Sequence, residues 1–457
     1  MQLLPRLCMA TGAPGADGDG ERNAAKGDSS TNSSKLATAV SSSSSTASTS
    51  SAAAAAVSEA SSSSTSLPSL SSAASASLAS SLVHVATLAA AGSSAAAAVV
   101  AAGDSAHGVV VARPARVALH DLCTLEATST SGPADAAAGA GSVKCAAHAQ
   151  LRGRAAAVTG HQDGRLRLWR VSSRSPAALR LAAALPTVSD RLRRFPVPSN
   201  HVAVRRHHRR LWIEHADAVS GVAASADGRL LFSVSWDKTL KVWALPSLRC
   251  LQSLPAHDDA VNAVAAAPDG TVYTASADKR VRVWAPRPEA KPRRFALGRG
   301  KKHQHRHPVY ALVATLARHT AAVNALAVGC GGQALYSGGN DRAVLVWERE
   351  DSASHMVAVG ALRGHSRAVL SVACAAGGLV VSGAADQTVR AWRRAADGRG
   401  YACVAVIDGH GAAVRSVAAA PVQKPPRGGD GDEEWRVCSA SFDGEVRVWS
   451  LRVASGL

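Results

Sequence analysis

Aromatic and acidic side chains are both scarce in this chain. Of 457 residues only 4% are Phe, Tyr or Trp, and 33 Asp and Glu stand against 51 Lys and Arg, for a formal net charge of +18. No C-x-x-C pair occurs: Cys8, Cys123, Cys145, Cys250, Cys330, Cys374, Cys403 and Cys438 are scattered singly. That argues against a zinc site and a disulfide framework, and favours a reducing compartment. There is no H-E-x-x-H, and Gly298-Arg299-Gly300-Lys301-Lys302 lacks the earlier glycine and the following hydroxyl of a phosphate-cradling loop. His303, His305 and His307 alternate with no Cys or carboxylate to complete a ligand set, so no metal and no other cofactor is expected. Residues 1–10 carry Arg6 and no apolar core of useful length for a secretory leader. The uncharged stretch Val85 to Gly103 is interrupted by Gly92, Ser93 and Ser94, and reads as two strands and a turn rather than a membrane span.

Residues 1–77 are rich in Ser and Ala, with runs such as Ser41 to Ser45 and Ala52 to Ala56, and almost nothing there is large enough to bury. Such a segment cannot offset the entropy of ordering, so a disordered low-complexity tail is expected. A chloroplast transit peptide would also be Ser-rich. Asp17, Asp19, Glu21 and Asp28, and the scarcity of Arg after Arg22, oppose that alternative.

What the remainder does have is a repeat. Six times an Asp stands six residues before a Trp: Asp163 and Trp169, Asp237 and Trp243, Asp278 and Trp284, Asp341 and Trp347, Asp386 and Trp392, Asp443 and Trp449. Four residues before each Asp is a hydroxyl: Thr159, Ser233, Thr274, Ser337, Ser382 and Ser439. His215, His257, His319 and His365 precede their Asp by 21 or 22 residues, and His410 precedes Asp443 by 33 because a loop is inserted. The second unit lacks such a His. Between Asp and Trp the residues alternate, as in Lys238-Thr239-Leu240-Lys241-Val242-Trp243, which specifies a strand after a tight turn. The hydroxyl then lies on the preceding strand and the His in the entering loop. Together they can satisfy the indole N–H that a buried Trp must pair.

These quartets resemble the structural tetrads of WD-repeat proteins, whose repeat is one four-stranded propeller blade. The implied fold is all-β, a seven-bladed propeller over 78–451. Ser77 to Val83 is expected to supply the outer strand of the last blade, closing the ring. Val85 would open a degenerate first blade marked only by His84 and Asp104. More narrowly, His161-Gln162-Asp163-Gly164, Leu185-Pro186-Thr187, Leu211-Trp212-Ile213, His215-Ala216-Asp217-Ala218-Val219-Ser220, Ser235-Trp236-Asp237-Lys238-Thr239 and Ala256-His257-Asp258-Asp259-Ala260-Val261-Asn262 are similar to the plant Jingubang-type WD-repeat proteins. That resemblance implies a regulatory protein of growth or pollen germination with no enzymatic activity. It implies no partner for the first blade or for the tail.

The positive charge is concentrated. Arg170 to Arg210 holds ten Arg against one Asp, and Pro286 to Pro308 eight Lys or Arg against one Glu. Both are read as loops (172–210 and 286–308) between the third and fourth strands of a blade. The 421–434 loop, with Asp430, Asp432, Glu433 and Glu434, is read as joining a first strand to a second. All three would then decorate the face opposite the His and Asp loops. Arg193, Arg194, Arg205, Arg206, Arg209, Arg210, Arg293, Arg294, Lys301 and Lys302 are candidates for binding an acidic, phosphorylated or transcription-factor partner, or for nuclear import. Direct nucleic-acid binding is less favoured, because only Phe195 and Phe295 are available to stack. Trp236, beside a turn, is a candidate partner anchor or an inter-blade packing residue. Trp347-Glu348-Arg349-Glu350 misses, at its last position, the Arg or Lys by which some propellers join cullin-type ubiquitin ligases. The expected protein is a non-catalytic, monomeric interaction scaffold of cytoplasm or nucleus. The alternatives are a nucleic-acid-associated adaptor and a ligase substrate receptor.

Overall fold

A computed structural model describes residues 67–72, 80–88, 98–101, 108–113, 116–121, 124, 126–131, 142–151, 154–172, 178–205, 208–287, 307–351, 355–395, 398, 400–422 and 433–453. All lie in one compact unit, Ala56–Leu457. Residues 1–66 of the expected tail fall outside the described residues, as do Asp104, Arg206, Arg293, Arg294, Lys301 and Lys302.

Seven four-stranded meanders form seven blades of a β-propeller. Their spans are Ala98–Ser131, Val143–Leu185, Val219–Pro255, Val261–Leu316, Val323–Arg363, Val369–Ile407, and Val414–Val453 completed by Ser80–Leu88. The innermost strand of each blade touches the innermost strands of both neighbours, and the seventh touches the first, so the ring is closed. Side chains stitch the inner strands together. Asn262 donates to the Val323 carbonyl at 2.9 Å and Asn324 to the Val369 carbonyl at 2.9 Å. Arg415 of blade 7 reaches past blade 1 to the carbonyls of Val143 and Lys144 in blade 2, at 3.2 and 2.7 Å.

Closure of the last blade uses a longer strand than expected. Ser80–Leu88 runs antiparallel to Val446–Val453, with Ser80 opposite Val453 and Leu88 opposite Val446. Val85 therefore belongs to blade 7 and does not open blade 1. His84 is not the entry-loop histidine of blade 1: it stands opposite Trp449, edge to face at 4.8 Å. Blade 1 is built from Val and Ala (Val109, Val110, Val111, Ala112, Val117, Ala118), and its outer strand Ala127–Ser131 pairs in parallel with the outer strand Ala178–Leu185 of blade 2.

Each tetrad Trp is buried against the preceding blade. Trp169 joins the blade 1 core, Trp243 blade 2, Trp284 blade 3, Trp347 blade 4, Trp392 blade 5 and Trp449 blade 6. The seam between blades 7 and 1 has no Trp, only Val109, Val111, Ala418, Ala420, Cys438, Ala440, Val446 and Val448. After every Asp of the repeat the chain turns left-handed. Gly164 and Gly444 meet that demand without cost, whereas Lys238, Lys279, Arg342 and Gln387 adopt it with φ of 70, 70, 65 and 72°.

Three expectations for the loops need correction. Residues Ala178–Leu185 form the outer strand of blade 2, paired with Leu166–Val171. Its Ala/Leu alternation overrides the basic composition around it, leaving 186–210 between the outer strand of blade 2 and His215. That insertion therefore emerges on the face carrying the His and Asp loops, whereas the strands flanking 286–308 and 421–434 end and resume on the opposite face. Glu433 and Glu434 are strand residues, not loop. Glu434 is buried and bonds Arg436, Ser450 and Arg452, while Glu433 pairs with Arg393 at 2.6 Å. The tail expectation fails at its end. Leu67 and Leu70 pack against blades 4–6, with Leu70 N–H donating to the Ala361 carbonyl at 2.9 Å and Tyr401 N–H to the Leu70 carbonyl at 3.2 Å. Gly360 leaves the space that Leu70 occupies.

Candidate functional site on the His/Asp face

The face is framed by the buried quartets. In blade 3, Trp243 Nε1–H donates to Ser233 Oγ at 2.9 Å, Ser233 Oγ meets His215 Nε2 at 2.8 Å, and His215 Nδ1 meets Asp237 Oδ2 at 3.0 Å. The His-to-Asp distances are 2.8 Å for His257 and Asp278, 2.6 Å for His319 and Asp341, 3.0 Å for His365 and Asp386, and 3.2 Å for His410 and Asp443. In the same four blades Trp284 donates to Thr274, Trp347 to Ser337, Trp392 to Ser382 and Trp449 to Ser439, at 2.8–3.2 Å. One proton arrangement satisfies every group: indole N–H to hydroxyl oxygen, hydroxyl to Nε2, Nδ1–H to carboxylate. It requires a neutral imidazole and an ionised Asp.

Blade 2 fills its missing position from within. His161, two residues beyond Thr159 on the same strand, brings Nε2 to 2.8 Å from the Thr159 hydroxyl that accepts from Trp169. Asp163, released from that role, takes Arg167 at 3.1 Å. A His adjacent to its hydroxyl in sequence carries none of the 21-residue spacing, which is why the repeat pattern passes over it.

Burial holds the imidazoles of His215, His365 and His410 below the ordinary histidine value. Burial opposes ionisation of Asp237, Asp278, Asp341, Asp386 and Asp443, but hydrogen bonds from their histidines, from neighbouring hydroxyls and from the turn backbone outweigh it and hold all five below the ordinary range. Both shifts have the same consequence. As pH falls below about 6.5 the unfolded chain binds protons on His that the native network refuses, and below about 4 it does so on Asp as well. The thermal midpoint is expected to fall steadily from about pH 7.5 to 5 and more steeply beneath about 4. Calorimetric scans across that range check it, and a midpoint that holds or rises on acidification would contradict the assigned protonation.

The insertion on this face is folded. Thr187 caps the short helix α1 (Val188–Arg194), its hydroxyl accepting from Asp190 N–H at 3.2 Å. A tight turn at Pro198–Asn200 and a hairpin, His201–Arg205 with His208–Leu211, follow. Buried Asp190 binds Arg194 at 3.1 Å, and Arg194 also stacks over Trp212 at 4.5 Å and reaches the Cys250 carbonyl at 3.3 Å. Arg194 is thus an internal tie, while Arg193 is exposed. Arg191 pairs with Glu214 at 2.6 Å and Arg210 donates to the His215 carbonyl at 3.1 Å. Nothing in this framework covers Val188, Leu192, Phe195, Val197, Val202 and Val204, which are 39–70% exposed. Several large apolar side chains exposed on one short insertion point to an interaction surface.

Two cavities flank the hairpin. One, of about 780 Å³, is walled by Val202, Val204, Trp212 and Trp236, with Lys241 at its base donating to Ser253 Oγ at 2.6 Å. Trp236 is half-buried and sits 5.4 Å from Lys144 Nζ of blade 2, so it both lines the cavity and bridges two blades. The other, of about 640 Å³, is lined by Arg165, Arg167, Arg191, Arg209 and Arg210. Arg165 and Arg167 belong to blade 2 itself and stood outside the basic-loop reading. The closest metal-like set among the described residues is His410, Asp443 and Glu445, within 4.8 Å. Both His410 nitrogens are engaged by Ser439 and Asp443, and Glu445 by Arg447, so the donors serve the blade. Arg349 of the ligase-like tetrapeptide is tied into blade 4 through Asp269 at 2.6 Å and Tyr273 Oη at 3.0 Å. No helix among the described residues is long and apolar enough to cross a membrane.

The WD domain, G-beta repeat, matches residues 207–244, 248–285, 310–348, 356–393 and 401–450. Each of the last four matches joins the outer strand of one blade to three strands of the next. An uncharacterised WD repeat-containing protein of Schizosaccharomyces pombe is 34% identical over 74 residues, covering 16% of this chain and 14% of its own. The nuclear distribution protein PAC1 of Scheffersomyces stipitis is 29% identical over 111 residues, 23% of this chain and 18% of its own. Mitochondrial division protein 1 of S. pombe is 29% identical over 134 residues, 29% of this chain and 20% of its own. The chain thus spans a fifth or less of these relatives. Such repeats typically mediate contacts between proteins. With five repeats matched and seven blades of one build, the chain is a WD-repeat β-propeller protein.

Proposed function

We propose that the chain is a non-catalytic scaffold that holds partner proteins on its His/Asp face, in a plant regulatory pathway of the growth or pollen-germination kind that its Jingubang-like segments imply. The observation that carries this is the 186–210 insertion. It is braced by Asp190, Arg194 and Trp212 and is not needed to close the ring, yet it presents six large apolar side chains to solvent. Surfaces so exposed are retained for association. Against catalysis, Ser233, Thr274, Ser337, Ser382 and Ser439 are fully buried, and each hydroxyl is engaged by both Trp and His. No substrate carbonyl can approach such an oxygen, so these Ser-His-Asp sets are read as internal supports.

Proximity labelling with the full chain, and with residues 187–211 replaced by a Gly/Ser linker, tests the reading. A reproducible protein set that depends on the insertion is expected. The same set from both chains would move the binding surface elsewhere, and no set from either would sink the scaffold.

A further inference from the structure

We infer that the arginine-lined basin between blades 2 and 3 is a phosphate-recognition site, and that its ligand is a phosphorylated serine or threonine in a peptide segment of a partner protein. This deepens the scaffold reading and rests on it. The basin gathers guanidinium groups from three separate elements. Arg165 and Arg167 come from the turn and third strand of blade 2, Arg191 from α1, and Arg209 and Arg210 from the hairpin. Asp163 and Glu214 are the two carboxylates in its wall, and both are committed, to Arg167 at 3.1 Å and Arg191 at 2.6 Å. Five cations against two anions leave a local excess that repels itself unless an anion enters.

One guanidinium in the wall is only partly satisfied. Arg167 is 5% exposed, and its Nη1 is buried with no hydrogen-bond acceptor among the described residues. A buried charged donor left unpaired is costly and calls for an explanation. The other nitrogen, Nη2, is fixed by Asp163, which holds the guanidinium plane in place beside the cavity. Guanidinium forks match phosphate oxygens two at a time, which a point-charge lysine does not. Among the described residues no lysine lines this basin.

The neighbouring cavity narrows the ligand class. The two cavities share Arg210 and Glu214, and the second is walled by Val202, Trp212 and Trp236. A peptide can place a phosphate in one and a bulky apolar side chain in the other. A nucleic acid would use a track of cations with aromatic faces for its bases. Among the described residues the aromatic ring lining the basin is His215, which is buried and bonded at both nitrogens by Ser233 and Asp237.

The test is binding of the full chain to a labelled degenerate phosphoserine/phosphothreonine peptide library, beside its unphosphorylated twin and poly(U) RNA, with inorganic phosphate as competitor. Arg165→Glu/Arg209→Glu alters two exposed residues, and its melting temperature reports the fold. Arg165→Lys/Arg209→Lys keeps the charge and removes the forks. At least about a tenfold preference for the phosphorylated library is expected, competed by phosphate, abolished by the Glu pair and weakened by the Lys pair. Equal binding of the twin libraries, phosphate preference surviving in the Glu pair, or RNA binding stronger than phosphopeptide binding would each overturn it. If proximity labelling returns partners that ignore the Glu pair, the phosphate site falls and the scaffold stands. If it returns none, both fall.

Discussion

Removing residues 1–88 is expected to destabilise the propeller by on the order of 5 kcal/mol, whereas removing residues 1–79 is expected to cost far less. Both deletions take away Leu67 and Leu70 from the edge of blades 4–6, so the difference isolates the closing strand. Eight residue pairs join Ser80–Leu88 to Val446–Val453. At roughly 1 kcal/mol for each net ladder hydrogen bond, their loss alone reaches that magnitude. Leu82, which packs against the core of blades 6 and 7, is lost as well. The deletion also bares Val446–Val453 as a sheet edge, a template for self-association. Blade 7 has little else to hold it on its other side: every other junction in the ring holds a tetrad Trp, and the one between blades 7 and 1 holds only Val, Ala and Cys438 among the described residues. Arg415 would remain as the side chain spanning blade 1, tying blade 7 to blade 2. Thermal melts and size-exclusion profiles of the two truncations decide the matter. A 1–88 deletion that melts with the 1–79 deletion would mean that the ring does not depend on that strand.

The same contrast explains what could be read from the residues alone. The six Asp-to-Trp spacings are visible because turn and strand geometry leave no freedom between the two residues, and the hydroxyl four before Asp is fixed across the hairpin. Four of the histidines follow at near-constant distance for the same reason. The blade 2 substitute, His161, obeys a spatial rule and not a sequential one. Ala178–Leu185 is masked in sequence by Arg180, which extends a charge run yet occupies an exposed position on the strand. The face on which the insertion emerges is set by that strand. The arginine basin could not be seen in sequence, since Arg165 and Arg167 lie far from Arg209 and Arg210 until the hairpin folds back over blade 2. Leu67 and Leu70 are two leucines in a serine-rich stretch. The gap left by Gly360 shows why Leu70 docks.

Trp347→Ala and Ser337→Ala should both be severe, for different reasons, and their combination with His319 shows which. Trp347 is 2% exposed among Tyr273, Leu335, Leu345 and Met356. Truncating it opens a cavity between blades 4 and 5, at a cost of about 3–5 kcal/mol. Ser337→Ala removes one atom and almost no packing, yet it orphans the Trp347 N–H at 2.8 Å on one side and His319 Nε2 at 2.7 Å on the other. Two buried polar groups without partners cost roughly 1–3 kcal/mol each. His319→Phe in the wild-type background takes from the Ser337 hydroxyl its acceptor and from the Asp341 carboxylate its side-chain donor. In the Ser337→Ala background it finds part of that damage already done. The double variant is therefore expected to lose at least about 1 kcal/mol less than the sum of the singles, the mark of a coupled network. Denaturant unfolding of the two singles and the double gives the coupling. Strict additivity would mean that the hydrogen-bonded chain is geometry without energy, and that the repeat is held by its tryptophans alone.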